Sequence, residues 1–166
     1  KMRDYVDVLI PRGGAGLIKT VVSNAQVPVI ETGVGNCHIY VDASAQPDAA
    51  LKIVMNAKTQ RPSVCNALET LLVHQGIAPH FLPPCGEELR QAGVEIRGCP
   101  GTLAYLPWAR PATLEDWTTE YLDLTLAVRV VPDFATAVDH INQYGTGHSE
   151  SIVTTDYATA RRFLQE

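Results

Sequence analysis

The chain has 166 residues, of which 46% are hydrophobic and 19% are charged, and its formal net charge is −5. This length and hydrophobic content suffice for one sizeable core. The negative net charge argues against a nucleic-acid-binding protein, because such a protein normally carries a basic patch. No apolar run approaches the length of a membrane span. We therefore expect neither a nucleic acid nor a membrane among its partners.

The beginning of the chain predicts a strand–helix–strand unit. The apolar run at 6–10 predicts a buried strand that ends at Pro11, and a glycine-rich turn, PRGGAG, follows it. Residues 17–24 predict a short helix and residues 27–30 a second buried strand. A strand, a helix and a strand at this spacing form a βαβ unit, so the two strands are expected to be parallel.

The rest of the chain continues this alternation. Pro47 suits the first turn of a helix in which Leu51, Ile53 and Val54 are expected to be buried. Gly93 and Gly145 suit helix ends, and Asp156 suits a helix N-cap. Residues 100–120 are predicted to be irregular. Strands are predicted over residues 37–42, 69–74, 94–98, 121–131 and 151–155, and helices over residues 47–58, 86–93, 134–145 and 156–166. The predicted fold class is α/β, with a largely parallel sheet covered by helices.

The four cysteines do not indicate a metal site. None of Cys37, Cys65, Cys85 and Cys99 forms a C-x-x-C pair, so we expect no zinc or other metal. Their density is too low for a disulfide scaffold. Reduced thiols in a cytoplasmic protein are therefore expected, and the sequence starts without the apolar stretch of a signal peptide. Cys85 and Cys99 lie among prolines and glycines and are interpreted as loop or packing residues.

Cys65, in the stretch NAKTQRPSVCNALETLLVH, is the strongest candidate for a nucleophile. Pro62 suits the first position of a helix, which Ser63 or Thr59 could cap, so Cys65 is expected in the first helical turn. There the free backbone N–H groups and the helix dipole would stabilise a thiolate. The alternative is a buried thiol at a helix start, followed by a core strand.

The glycine-rich turn is a candidate for phosphate binding. Arg12, Gly13, Gly14 and Gly16 could bring the backbone close to a phosphate at the start of the following helix. Lys19 occupies the place of the third glycine in the dinucleotide fingerprint, so that motif is incomplete. The alternative is a glycine turn that only joins a strand to a helix, with a solvated Arg12.

Three further residues are candidates for acid–base chemistry. Glu31 follows a predicted strand at its carboxyl end, where ligands bind in open α/β sheets, but it also suits a surface turn. His148 lies in a glycine-flanked loop, and Glu120 opens the long predicted strand. For both residues a structural role is the alternative.

Five stretches, in this order, resemble the gamma-glutamyl phosphate reductase family of the aldehyde dehydrogenase superfamily. They are DVLIPRGGAGLI, PVIETGVGNCHIYVD, NAKTQRPSVCNALETLLVH, TEYLDLTLAV and INQYGTGHSESIVT, and they span nearly the whole chain. The resemblance implies an aldehyde dehydrogenase-like fold with a three-layer αβα catalytic domain. It assigns residues 1–32 to the end of the NADP-binding domain and residues 33–166 to the catalytic domain, incomplete at its C-terminus. The sequence does not begin with Met, so we expect a piece of a longer protein.

The resemblance also implies a reaction and roles for individual residues. Such enzymes reduce L-glutamyl 5-phosphate with NADPH to L-glutamate 5-semialdehyde and phosphate, the second step of proline biosynthesis. Cys65 matches the nucleophile, Glu120 the glutamate that contacts the nicotinamide ribose, and Glu31 the general base. The PRGGAG turn matches the segment that approaches the cofactor's phosphates. Reduction of a thioester needs no activated water, which leaves Glu31 without a required base function.

Further expectations concern the substrate phosphate and the partners. Lys58 and Arg61, by charge and proximity to Cys65, are candidates to bind the substrate phosphate. We expect a homo-oligomer, with glutamate 5-kinase as the pathway neighbour, and an inactive chain when isolated. The alternatives are the reductase half of a bifunctional pyrroline-5-carboxylate synthase, a non-catalytic structural fragment, and a relative acting on a different acyl phosphate.

Overall fold

A computed structural model describes residues 4–31 and 33–166. The chain divides into two compact units, Lys1–Val34 and Gly35–Glu166. The first domain predicted from the sequence comprises residues 1–32, of which residues 1–3 and residue 32 lie outside the described part.

The described residues of the first unit form one helix and one parallel bridge. The helix is α1 (Ala15–Asn24), as predicted. Leu9 and Val29 make the bridge, so the parallel direction is confirmed, but the two predicted strands are reduced to this single pair. Their predicted burial is wrong, since Val8 is 40% exposed and Ile10 is 57% exposed. A strand is buried by neighbouring strands and covering helices, and within this unit the described residues add no further paired strand.

The second unit is built on a six-stranded sheet in which every pairing is parallel. The strands follow the order β4-β3-β5-β2-β1-β6 across the sheet. All residues of β1 and nearly all of β2 are buried, as expected for parallel strands covered on both faces. The strand bounds are β1 (Cys37–Val41), β2 (Leu68–His74), β3 (Glu95–Gly98), β4 (Arg110–Pro111), β5 (Thr125–Val131) and β6 (Glu150–Val153).

Helices cover both faces of this sheet. Ile39 and Leu71 belong to one core cluster, whereas their neighbours Tyr40 and Leu72 belong to the other, because successive strand residues point to opposite faces. The predicted three-layer αβα architecture is thereby confirmed. The helices are α2 (Pro47–Thr59), α3 (Ala78–Gln91), α4 (Pro100–Leu103), α5 (Phe134–Tyr144) and α6 (Tyr157–Phe163), and a 3₁₀ turn spans Glu115–Trp117.

Two predictions about helices are wrong. Helix α3 begins eight residues before the predicted start at 86, and it contains Pro83 and Pro84. Each proline removes a backbone hydrogen bond, but the helix buries Phe81 and Cys85 completely, and this packing outweighs the local preference. Cys85 is therefore a helical core residue rather than a loop residue. In α2, Ile53 was predicted to be buried but is 44% exposed.

Candidate active site

Cys65 lies in an irregular turn between α2 and β2, so the predicted helix start at Pro62 is wrong. The turn is held by hydrogen bonds from Val64 N–H to the Arg61 carbonyl (3.3 Å) and from Ala67 N–H to the Val64 carbonyl (3.0 Å). The few residues between the two elements are used to reverse the chain, which leaves no length for another helix. The Cys65 side chain is exposed, so the alternative of a buried thiol is also wrong. A helix dipole cannot be the source of thiolate stabilisation here.

The candidate residues of the second unit gather at the amino-terminal edge of the sheet. The strands are parallel, so the segments that precede them lie along one edge. Cys65 precedes β2, Glu120 precedes β5, His148 precedes β6, and Cys37 begins β1. This is the edge opposite to the carboxyl ends, where ligands commonly bind in open α/β sheets.

Gly35 contacts both the Cys65 turn and Glu120. A Cβ atom placed on Gly35 would lie 1.7 Å from the carbonyl oxygen of Cys65, so only glycine allows this approach. The Gly35 N–H donates a hydrogen bond of 2.7 Å to Oε1 of Glu120. Gly35 therefore couples the position of the Glu120 carboxylate to that of the nucleophile candidate. Gly35 was not among the residues predicted for the site, although it lies in the stretch PVIETGVGNCHIYVD.

Cys37 is a second thiol at the same edge, and it too was not among the residues predicted for the site. Its Sγ donates to the Cys65 carbonyl oxygen at 3.2 Å and lies 3.7 Å from Nδ1 of His148. Burial, followed by the charge of Glu150, raises the pKa of Cys37 to about 11. Cys37 is therefore a neutral donor at neutral pH and supports the Cys65 backbone rather than acting as a nucleophile.

Asn36 anchors the loop that carries Gly35. It is completely buried, and its backbone N–H donates to Oγ1 of Thr146 at 3.1 Å. Its Nδ2 donates to the carbonyl oxygens of Trp117 (2.8 Å) and Tyr144 (2.9 Å). These bonds connect the loop before β1 to the segments before β5 and β6. Such long-range contacts have no signal in the local sequence.

Glu120 is not part of a strand, contrary to the prediction. Strand β5 begins only at Thr125, because Leu122 has a left-handed backbone with φ of 54° that interrupts the extended run. Glu120 is half-buried. It thus lies in an irregular segment whose position depends on contacts rather than on a sheet ladder.

Lys58 was predicted to bind the substrate phosphate, but the structure places its side chain in the core. Its side chain is 0% exposed, and its Nζ lies 2.8 Å from Oε2 of Glu69, which is also 0% exposed. Burial lowers the pKa of Lys58 and raises that of Glu69, while their pairing opposes both shifts. Arg61, by contrast, is exposed and lines a shallow depression with Asn56, Gln60 and Asn66.

In the first unit, the glycine-rich turn leads directly into α1. Gly14 is the N-cap of this helix, no side chain caps it, and its first turn has no acidic residue. The Cβ positions of Gly14 and Gly16 face open space, and Arg12 is exposed. Free helical N–H groups beside an arginine are the donor set that a phosphate requires. Glu31 is exposed in the same unit.

The described part of the chain contains no cluster of three or more metal-ligating side chains. Within the same residues, no helix has the length and apolar character needed to cross a bilayer.

Comparisons with known proteins point to one family. No family model matches the chain. The chain is 65% identical over 164 residues to the gamma-glutamyl phosphate reductase of Moorella thermoacetica. This alignment covers 99% of this chain and 39% of that protein. It is 64% identical over 166 residues to the enzyme of the same name from Carboxydothermus hydrogenoformans, covering 100% of this chain and 40% of that protein. The chain therefore spans about two fifths of the length of these curated relatives.

Solved structures agree with the fold. The crystal structure of gamma-glutamyl phosphate reductase from Thermotoga maritima matches with a TM-score of 0.97 at 55% identity, over 100% of this chain and 40% of that one. Lactaldehyde dehydrogenase from Escherichia coli matches with a TM-score of 0.75 at 14% identity, over 98% of this chain and 44% of that one. The second match concerns the fold alone, which is aldehyde dehydrogenase-like, as predicted.

Proposed function

Because this chain belongs to the gamma-glutamyl phosphate reductase family, we propose that it forms the nucleophile-bearing part of an enzyme that reduces L-glutamyl 5-phosphate. The products of this reaction are L-glutamate 5-semialdehyde and phosphate. The reaction is the second step of proline biosynthesis. The observation that carries the proposal is the exposed thiol of Cys65, in a turn whose carbonyl packs against Gly35 while Gly35 binds Glu120. The names of the relatives supply the substrate.

In this mechanism the Cys65 thiolate attacks the carbonyl carbon of the acyl phosphate. A sulfur–carbon bond forms, the carbon–oxygen bond to the phosphate breaks, and phosphate leaves with the bonding electrons. The backbone N–H of Cys65 stabilises the oxyanion of the tetrahedral intermediate. A nicotinamide cofactor, NADPH in this proposal, supplies hydride when bound. Cys65 is then expelled as a thiolate when the reduced adduct collapses to the aldehyde.

Each unit, taken by itself, carries residues that fit a nicotinamide cofactor. Arg12 and the turn of Gly13, Gly14 and Gly16 would contact phosphate, and the uncapped start of α1 and the open space at two of these glycines support this assignment. The Glu120 carboxylate would accept from the ribose hydroxyls, with its other oxygen held by Gly35. On this basis, we assign the first unit to the end of the cofactor-binding domain and the second unit to the catalytic domain.

Two other residues receive narrower roles. Arg61 is exposed beside the Cys65 turn, which supports contact with the leaving phosphate, and Lys58 has no part in that step. Glu31 is exposed in the first unit and is proposed to have no required base function, because the reaction activates no water.

The alternative assignment is the reductase half of a bifunctional pyrroline-5-carboxylate synthase, with the same chemistry at Cys65. The isolated chain is proposed to be inactive, because it spans about two fifths of its relatives and hydride transfer needs the whole cofactor site aligned. In that state it would be a non-catalytic structural fragment. The intact enzyme is proposed to be a cytoplasmic homo-oligomer that receives its substrate from glutamate 5-kinase.

The test uses a chimera, in which this chain replaces the matching segment of the Thermotoga maritima reductase, 55% identical over the full chain. We call this protein the reductase chimera. NADPH oxidation with freshly generated glutamyl phosphate is followed by absorbance. Cys65→Ala should abolish turnover, because no thioester can form. Cys99→Ala, which alters a half-buried thiol, is the matched control and should retain activity.

Two outcomes would contradict the proposal. The first is a folded reductase chimera without turnover of glutamyl phosphate. The second is a Cys65→Ala variant that remains as active as the Cys99→Ala control.

A further inference from the structure

The Cys65 turn is closed at its base by a fully buried ion pair. Lys58 lies near the end of α2 and Glu69 near the start of β2, so the pair joins the two ends of the segment that carries Cys65. Lys58 Nζ and Glu69 Oε2 are 2.8 Å apart, and both side chains are 0% exposed. Desolvation of two charges is costly, and apolar residues of similar volume often serve stability equally well. Stability alone therefore does not explain the presence of this buried pair.

The second oxygen of Glu69 holds the segment that follows Glu120. Glu69 Oε1 accepts a hydrogen bond of 3.1 Å from the backbone N–H of Leu122. Leu122 has φ of 54°, a conformation that is unfavourable for a residue with a branched side chain, and the side chain is 44% exposed. Its own packing therefore contributes little to fixing this backbone. The buried carboxylate supplies a fixed acceptor for a strained turn two residues after Glu120.

We propose that Lys58 and Glu69 are positioning residues that hold Glu120 and the Cys65 turn in one fixed arrangement. Lys58 orients Glu69, and Glu69 fixes the turn at Leu122. That turn aims Glu120 at the Gly35 N–H, 2.7 Å away, and Gly35 packs against the Cys65 carbonyl. The inference rests on the proposed function, because it assigns the pair to the cofactor contact of Glu120 in that reaction.

Two double variants of the reductase chimera separate positioning from stability. Lys58→Met with Glu69→Gln removes both charges but retains an amide oxygen that can accept from Leu122 N–H. Lys58→Met with Glu69→Leu removes the charges and the acceptor together. Each variant leaves one polar group without its partner, the side-chain amide nitrogen in the glutamine variant and the Leu122 N–H in the leucine variant. Because these losses are comparable, both proteins are expected to fold with similar melting temperatures. The difference between them isolates the hydrogen bond to Leu122.

The first readout needs no turnover. Hydrogen exchange by mass spectrometry, with fragmentation that resolves Leu122 from Asp123, should be about tenfold faster at Leu122 in the leucine variant than in the glutamine variant. The second readout is the KM for NADPH, determined separately from kcat. The KM for NADPH should rise about tenfold in the leucine variant and should be restored in the glutamine variant, because Glu120 is displaced only in the former.

The outcomes decide between the alternatives. Equal exchange at Leu122 in the two variants would overturn the inference, and so would faster exchange with an unchanged KM for NADPH. If the leucine variant fails to fold, hydrogen exchange is measured in the unmodified reductase chimera instead. In that protein, slower exchange at Leu122 than at Asp123 supports the proposed hydrogen bond from Leu122 to Glu69, and equal exchange at the two residues overturns the inference. Loss of turnover in the unmodified reductase chimera would instead contradict the proposed function, and the exchange measurement is independent of it.

Discussion

Substitution of Gly35 by alanine tests the close contact at the centre of the site. The new Cβ would lie 1.7 Å from the Cys65 carbonyl oxygen, whereas real Cβ atoms essentially never approach closer than 3.0 Å. The Cys65 turn or the Gly35 loop must therefore move by more than 1 Å, roughly the difference between these two distances. The opposing atoms belong to the backbone, so a rotamer change cannot relieve the clash.

The expected loss of rate follows from the precise alignment of reacting groups that the reaction requires. A displacement of about 1 Å can cost a factor of about 100 in rate, which equals about 2.7 kcal/mol of transition-state stabilisation. The displacement also weakens the 2.7 Å hydrogen bond from Gly35 N–H to Glu120. Overpacking of this kind lowers the free energy of unfolding by about 1–3 kcal/mol, so the protein should still fold.

The assay compares Gly35→Ala with Gly33→Ala in the reductase chimera. Gly33 has no atom within 4 Å of its Cβ position, which makes it a matched control two residues away. We expect kcat/KM to fall about a hundredfold for Gly35→Ala and to stay unchanged for Gly33→Ala. A Gly35→Ala variant that keeps kcat/KM within about twofold of the control would show that the clash has not moved the nucleophile, contrary to this prediction.

Two further predictions concern titratable groups. Near neutral pH, iodoacetamide should alkylate Cys65 before Cys37 and Cys85, because burial raises the pKa of Cys37 to about 11 and that of Cys85 to about 12. Peptide mapping by mass spectrometry that finds Cys37 or Cys85 modified first would contradict this prediction. Burial, with the charges of His38 and Arg129, lowers the pKa of His140 from 6.5 to about 3, so the unfolded chain binds this proton more readily. The free energy of unfolding from urea titrations should therefore decrease as the pH falls from 6.5 towards 3, by up to about 1.4 kcal/mol per pH unit for this group. A His140→Gln variant with the same pH dependence would argue against that assignment.

Local sequence signals predicted most elements of the second unit. Asp156 accepts from the N–H of Thr159 at the start of α6, and Pro47 lies in the first turn of α2, so both helix starts were readable from a few neighbouring residues. The stretches at residues 37–42 and 69–74 likewise predicted the strands β1 and β2. These features depend on interactions within one turn or one strand.

Local signals were wrong where packing outweighs propensity. Pro83 and Pro84 suggested a break, yet they lie inside α3, whose buried face stabilises the helix. Pro62 suggested a helix start, yet the residues around it form the reversal into β2. In both cases the same residue type is compatible with two conformations, and the choice depends on contacts with distant residues.

The α/β alternation, the resemblance to the reductase family and the choice of Cys65 as the nucleophile candidate were all predictable from the sequence. The residues that surround that thiol became known only from the folded structure. Gly35 and Glu120 are 85 positions apart in the chain, and Lys58, which its charge suggested for phosphate binding, is paired with Glu69 in the core. The strand order and register bring these residues together, and both depend on how all the apolar faces pack at once. No local pattern of residues contains that information.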